Sequence, residues 1–391
     1  MPEAVIVSAC RTAIGTAFKG SLVATSAFDL AEAVVAESVV RSGIAPARFD
    51  EVILGESLAG GGNIARHTAV RVGLTAAPGL AQNRHCASGL AAVQTAAAGI
   101  RAGVEHAIIA GGVESASTMP VMRVRVPGNE EWLDKWLPPS HPDSAQAPNR
   151  DMSITVGWNT ARALGLSRED MDAWALRSHE RAIDAIDAGH FADEIVPVKV
   201  TLANGTEVVF DTDEHPRRGT TAERLAALKP LHPEIDGFSI TAGNSSGIND
   251  AAAAVVVTSR EFAEHNDLTP LAVVRSWANV GVDPTRTGLA PSEAIPKALE
   301  RGGLTVDDVS LFEVNEAFAA VPLATARLLD LDPEIMNVSG SGCSLGHPVA
   351  ATGARMVATM LGDLRRRGGG IGVVSMCAGG GMGAAMVIES C

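Results

Sequence analysis

The chain has 391 residues. That is more than one small core fills, so two or three domains or one large layered unit are expected. Hydrophobic residues at 46% and charged residues at 19% exclude wholesale disorder. The net charge of −14 argues against a general nucleic-acid binder, so an anionic substrate would need a local basic patch. None of the five lysines (19, 135, 199, 229 and 297) follows a glycine, so the Gly-Lys of a phosphate-binding P-loop is absent. The longest solidly apolar run, Ala251–Val257, is far short of a membrane span, and no membrane partner is expected. The start Met-Pro-Glu lacks a basic leader, and the five Cys lack close pairing. Both point to free thiols in a reducing, cytoplasmic setting. No C-x2-C or H-x3-H spacing suggests a metal site.

In chain order, Val5–Ser8 reads as a short buried strand and Phe28–Gly43 as a helix stopped by its glycine. Val52–Gly55 is strand-like. Ser88–Gly103 is a helix with Leu90, Val93, Ala97 and Ile100 on one face, and His106–Gly111 is a strand. The same order returns later. Ala272–Ser276 and Leu311–Val314 are strands, with Asn315 opening a helix. Val349–Leu364 is a helix and Gly372–Met376 the final buried strand. This α/β alternation with apolar strands implies sheets covered on both faces. Offsets between corresponding residues (Val5 with Val273, Asn63 with Asn315) are not constant, so the pattern is a degenerate duplication. Two similar halves are expected at 1–117 and 262–391. Residues 118–250, Pro-rich and carrying Trp132 and Trp136, are expected to form an ordered covering insertion that returns to the first half near 240. Within it Ser167–Gly189 has the pattern of a helical hairpin.

Cys86, in Asn83-Arg-His-Cys-Ala-Ser-Gly89, directly precedes a helix. The helix dipole and free N–H groups there are expected to lower its thiol pKa, although free Cys is also among the most buried residue types. Cys377 precedes Ala378-Gly-Gly-Gly381, a run that lets backbone N–H groups approach an anion or simply makes a turn. His347, followed by Pro348, is expected at a helix start, where the dipole keeps its imidazole neutral. Asn315 is either a helix cap or an amide that holds a water or carbonyl oxygen. The duplication favours a shared site. Cys86 and the His347 turn occupy matching places, and Asn315 and Cys377 follow strand ends, the side on which α/β sheets bind ligands.

These stretches make the sequence resemble the thiolases, acetyl-CoA acyltransferases of the degradative or biosynthetic kind. The matching segments are Asn83–Val93, Thr241–Asp250 (TAGNSSGIND), Gly281–Pro284, Asn315–Ala319 (NEAFA), Gly346–Arg355 (GHPVAATGAR) and Cys377–Gly383 (CAGGGMG). The resemblance implies two α/β halves in a five-layered αβαβα sandwich with an inserted loop domain. It implies thiolytic cleavage of 3-ketoacyl-CoA, or the reverse Claisen condensation, through an acyl-cysteine. CoA is then a substrate, no metal or organic cofactor takes part, and the chain self-associates as a dimer or tetramer. By the resemblance Cys86 is the nucleophile, His347 its base and Cys377 the acid/base at the α-carbon. Asn315 would hold the water of one oxyanion hole, with His347 as the other donor, and the N–H groups of Cys86 and Gly379 would form another. Ser246, Met152 and, more loosely aligned, Arg217 would contact CoA.

The residue types suit the reaction, because a thiolate is both nucleophile and leaving group and an enolate needs a base and an oxyanion hole. Four departures stand out. Asp151 precedes Met152 where biosynthetic thiolases carry His, His85 and Ala87 flank the nucleophile where Val and Gly are common, and Met152–Gly165 is one residue longer than usual. Rival readings fit less. Two G-x-S-x-G runs, Gly243–Gly247 and Gly342–Gly346, raise a serine hydrolase, but no His follows His347 and the cysteine motifs would go unexplained. Gly340-x-Gly342 lacks the third glycine of a dinucleotide fold. A catalytically dead relative would not keep Cys86, His347, Asn315 and Cys377 together, and a ketoacyl synthase would lack the second thiol.

Overall fold

In the computed structural model, which describes residues 2–202 and 204–391, the sheet is built on nine strands: β1 (Ala4–Thr12), β2 (Glu51–Gly55), β3 (Gly79–Gln82), β4 (Ala107–Ser115), β5 (Asn249–Ser259), β6 (Ala272–Gly281), β7 (Leu311–Val314), β8 (Ile371–Ala378) and β9 (Met382–Ser390). They lie in the order β7-β8-β9-β6-β1-β5-β4-β2-β3. β5, with its Ala-Val run, is buried at every position, as a strand with helices on both faces requires.

The order repeats itself. β1 pairs antiparallel with β5, β5 antiparallel with β4, and β4 parallel with β2. In the same way β6 pairs antiparallel with β9, β9 antiparallel with β8, and β8 parallel with β7. The irregularities match too. The register slips between Ile6 and Ser8 in β1 and between Val274 and Ser276 in β6. The two halves join through a short antiparallel contact, Val5 with Val273 and Ile6 with Ala272.

Seven helices organise the layers: α1 (Ala27–Ser42), α2 (Ile64–Arg71), α3 (Ser88–Ala102), α4 (Arg168–Asp187), α5 (Ala290–Gly302), α6 (Ala320–Leu329) and α7 (Thr352–Arg366). α1 starts with a Ser26–Asp29 capping box and ends at a left-handed Gly43. α1 and α2 cover the outer face of the first half, and α5 and α6 that of the second. α3 and α7 lie between the halves, where Leu90, Val93, Val357 and Met360 share one apolar cluster. The result is the five-layered αβαβα arrangement expected. Among the described residues no helix is long and apolar enough to cross a membrane.

Local expectations are corrected at four places. Ser167–Gly189 holds one continuous helix, α4, because its apolar positions keep helical spacing without a break. Gly372–Met376 is not the last strand, since the glycine turn after Ala378 sends the chain back as β9. Asn315 does not open a helix. Its N–H bonds to Ser375 O, and α6 starts five residues later. Pro348 lies in a turn, not in the first turn of α7, which begins at Thr352. The covering segment ties into both halves. Val156 and Trp174 join the apolar cluster under α5 and α6, whereas Val200 and Phe210 join the one under α1.

The crossing of α3 and α7 is unusually close. A Cβ on Gly89 would lie 2.6 Å from Ala350 O, and one on Gly353 would lie 2.4 Å from Leu90 N. Neither neighbour is a flexible side-chain end, so the two backbones must separate to admit a methyl group. Gly353→Ala is expected to cost ~1–3 kcal/mol by overpacking and to lower activity, because α3 and α7 carry the two sides of the site. An unchanged urea midpoint with full activity would contradict this.

Candidate active site

Cys86 sits in the turn between β3 and α3. The turn is locked by its own side chains. Asn83 Oδ1 accepts from His85 N at 2.8 Å, Ser88 Oγ accepts from Arg84 N at 2.8 Å, and Ser88 Oγ donates to His85 O at 2.7 Å. His85 is thereby held at φ 47°, a left-handed conformation that costs a non-glycine residue energy and recurs at functional sites.

A cavity of about 250 Å3 brings the distant motifs together. Cys86, His347, Cys377, Gly379, Ser246 and Met152 all line it. Asn315 is fully buried behind it, with its Nδ2 3.4 Å from His347 Nδ1 and its Oδ1 unpartnered. Arg217 does not reach this cavity. It lines a separate one of about 310 Å3 together with His179, Arg218 and Arg224.

Burial sets the charges. Cys86 keeps some residue exposure, but burial of its thiol pushes the pKa up to about 11. The N–H groups of Gly379 and of Cys86 itself pull it down, and nearby Glu114 pushes it up. The expected lowering therefore does not occur in the resting site: desolvation outweighs the local N–H groups. Cys377, within β8, is pushed up by burial and then by Cys86. His347 is lowered to about 3 by burial and by the Arg355 charge. It is neutral as expected, though desolvation rather than a helix start is the cause.

The tautomer of His347 follows from Thr352, which the sequence reading missed. The single hydroxyl hydrogen of Thr352 goes to Pro348 O at 2.8 Å, so Oγ1 accepts the Nδ1–H of His347 at 2.7 Å. Nε2 then carries the lone pair, and it is buried with no partner. A neutral imidazole with its free nitrogen on a thiol-lined cavity is a proton acceptor in waiting.

Three more residues escaped the sequence reading. Asn249 Oδ1 accepts from His347 N at 2.9 Å, and its Nδ2 donates to Gly15 O. Glu316, beside Asn315, accepts from Trp174 Nε1, Ser178 Oγ, Asn337 Nδ2 and Cys343 N and so anchors the Asn315 turn. Glu114, on the cavity wall, accepts from the N–H groups of Leu58 and Ala350, and burial raises its pKa to about 8. Asn249 and Glu316 lie inside the quoted TAGNSSGIND and NEAFA stretches, but nothing in the order of residues says which carbonyl or amide each would reach. Asp151 is engaged within its own covering segment and does not line the cavity. Its Oδ1 accepts from Ser153 N and Oγ, and its Oδ2 lies 2.8 Å from His232 Nε2.

The likeness to known proteins extends over the whole chain. Residues 4–261 match the family model for the thiolase N-terminal domain and residues 268–390 that for the thiolase C-terminal domain. The chain is 41% identical to an acetyl-CoA acetyltransferase of Syntrophomonas wolfei, covering 99% of each chain. It is also 41% identical to a 3-ketoacyl-CoA thiolase of Bacillus subtilis over the full length of both. Among solved structures, the acetyl-CoA acetyltransferase of Bacillus anthracis superposes with a TM-score of 0.90 at 38% identity, covering 100% of this chain and 99% of that one. Human mitochondrial 3-ketoacyl-CoA thiolase superposes at 0.91 and 34% identity with the same coverage.

The Thr352 contact is directly testable. Thr352→Val keeps the shape and removes the acceptor for Nδ1–H, so kcat should fall about tenfold to a hundredfold, the cost of a buried unpaired donor. Thr352→Ser should stay within about threefold of the parent, since it keeps the hydroxyl. A valine variant as active as the parent would remove Thr352 from the site.

Proposed function

The chain belongs to the thiolase family and is an acyltransferase, and from that premise we propose how its residues divide the work. Thiolysis takes a 3-ketoacyl-CoA and CoA to acetyl-CoA and a shortened acyl-CoA through an acyl-cysteine, and the Claisen condensation is its reverse. The observation that carries the assignment is the meeting of two thiols and one unpartnered imidazole nitrogen on a single cavity.

In this reading His347 Nε2 takes the Cys86 proton as sulfur attacks the 3-keto carbon. The Cα–Cβ bond breaks, and the enolate of acetyl-CoA takes its proton from Cys377, which becomes a thiolate. The second CoA thiol then gives its proton to Cys377 and attacks the acyl-enzyme. Cys86 leaves and recovers its proton from His347, so the cycle closes. The N–H groups of Cys86 and Gly379, which already face the Cys86 sulfur, hold one oxyanion. A water held by Asn315, with His347 as the other donor, serves the second oxyanion. With both thiols raised and the imidazole lowered, Cys86, Cys377 and His347 rest neutral, and charge arises on them only with bond formation. CoA enters as substrate and the side chains carry the proton transfers without a further cofactor. Ser246 and Met152 contact its pantetheine arm, and Arg217, in the separate arginine-rich cavity, its nucleotide end.

We read the acyl pocket as accepting chains longer than acetoacetyl, in the degradative direction of fatty-acid β-oxidation. Leu58, Val156, Ala317, Phe318 and Val349 give the cavity an apolar wall, and Asp151, paired with Ser153 and His232, does not line it. We further propose self-association through β3, which pairs on one side only among the described residues and exposes Leu80. The five unpaired cysteines favour a cytoplasmic setting.

Two experiments test this. Acetyl-CoA should leave acetyl on Cys86 by peptide mass spectrometry. Cys86→Ser should abolish that labelling. Cys377→Ser should keep it while losing exchange of the acetyl methyl protons with deuterated solvent, along with ~10²–10⁴ in condensation rate. Wild-type exchange in the Cys377 variant would make His347 the carbon base. For chain length, kcat/KM for 3-ketooctanoyl-CoA should equal or exceed that for acetoacetyl-CoA. A preference of about tenfold, or ~1.4 kcal/mol, for acetoacetyl-CoA would reject the longer-chain reading.

A further inference from the structure

One wall of the cavity is carried by an irregular helix. Met152 and Val156 line the cavity, and Ser153–Trp158 is a π-helix, with the Asn159 N–H reaching back to Ile154 O. A π-turn takes up one more residue than an α-turn, which accommodates the extra residue read in Met152–Gly165. Asp151 caps the start of this helix: Oδ1 accepts from Ser153 N at 3.1 Å, from Ser153 Oγ at 2.6 Å and from Ile154 N at 3.4 Å.

The other oxygen of Asp151 lies 2.8 Å from His232 Nε2, and His232 Nδ1 lies 2.8 Å from Glu234 Oε1. A neutral imidazole has one N–H and serves one carboxylate. Only the imidazolium serves both. The same loop grips the far end of the π-helix. His232 meets Phe238 edge-on with ring centroids 4.9 Å apart, and Phe238 lies 5.2 Å from the ring of Trp158. The loop is itself anchored, since Leu231 N donates to Ile240 O next to the stretch that carries Ser246.

Resting on the family reading above, we propose that His232 is a positioning residue for the acyl pocket: bridging Asp151 and Glu234, it latches the wall formed by Met152 and Val156. The charged groups that face its ring are Asp151, from the start of the covering helix, and Glu234, from its own loop. The Glu234 hydrogen bond, and then Asp151, hold His232 above its ordinary pKa against burial. Burial pushes Asp151 up, but the Ser153 hydroxyl and His232 keep it below the usual carboxylate range. A cation whose folded pKa is raised contributes fully below its ordinary value of ~6.5 and loses that contribution as pH rises through the raised one. The latch is therefore closed at a pH of about 6 and released in mildly alkaline solution.

The test uses the full-length enzyme and two readouts. Amide hydrogen exchange over Ser153–Trp158, corrected for the intrinsic pH dependence, should be about fivefold faster at a pH of about 8.5 than at about 6, the scale of a partly exposed ion pair. The ratio of kcat/KM for 3-ketooctanoyl-CoA to that for acetoacetyl-CoA should fall about fivefold over the same range, and taking the ratio cancels the titration of groups common to both reactions. In His232→Gln both should be flat and set at the released level. Glu234→Gln, at an exposed position, should shift the transition to lower pH. Parent exchange that is flat with pH, or a His232→Gln variant that follows the parent, would overturn the latch. Exchange that responds while the chain-length ratio stays flat would overturn its role in the acyl pocket. Exchange that depends on pH in an enzyme that turns over neither substrate would support the latch and reject the functional reading on which the pocket role rests.

Discussion

The site depends on one packing constraint: two helices from different halves of the chain meet backbone to backbone. Gly89 of α3 lies against Ala350, and Gly353 of α7 lies against Leu90, at distances no side chain would permit. Cys86 is two residues before α3 and His347 five residues before α7. The crossing therefore turns two remote turns into walls of one cavity. Any side chain at either glycine would move Cys86 relative to His347, and a displacement of about 1 Å is costly for a reaction that depends on aligned groups.

The same burial decides protonation. The backbone N–H groups around Cys86 favour thiolate, yet the thiol is raised to about 11 because the sulfur is withdrawn from water. His347 is lowered to about 3 for the same reason, with Arg355 adding to the effect. Desolvation here exceeds the help of nearby N–H groups, so the resting pair is neutral. Such a site suits a reaction in which a proton must leave sulfur only as carbon arrives. The polar groups around it are satisfied in turn. Thr352 takes the Nδ1–H of His347, Asn249 holds its backbone, and Glu316 accepts four hydrogen bonds that fix the turn carrying Asn315. The unpartnered atoms that remain at the centre, His347 Nε2 and Asn315 Oδ1, are those aligned with chemistry rather than with folding.

Much of this was legible in the residues. Helices α1 and α3 and strands β2 and β7 fall within a residue or two of their expected bounds, because long apolar periodicity ended by glycine leaves little choice. The duplication was legible as well, and Cys86, His347, Cys377, Gly379, Ser246 and Met152 were all named from motifs and all line the same cavity. Errors came where a local signal competes with a distant partner. Asn315 and Pro348 have good helix-start chemistry, but the Asn315 N–H is claimed by Ser375 O and Pro348 O by the turn that ends at Thr352. The glycine run after Ala378 fits a chain end and a hairpin equally well by composition. Only the pairing of β9 with β8 and β6 makes it a hairpin.

Residue order alone is enough for the fold class and the family, and it picks out the groups that meet on the cavity, since these rest on periodicity and on short contiguous motifs. Four features came only with tertiary contact: the direction of the Cys86 shift, the Nδ1–H tautomer of His347, the separation of Arg217 from the thiol-lined cavity and the pairing of Asp151 with His232. Each of these depends on which atoms from remote segments meet and how much water they exclude. Desolvation and hydrogen-bond partnership are properties of that meeting and have no counterpart in the order of residues along the chain.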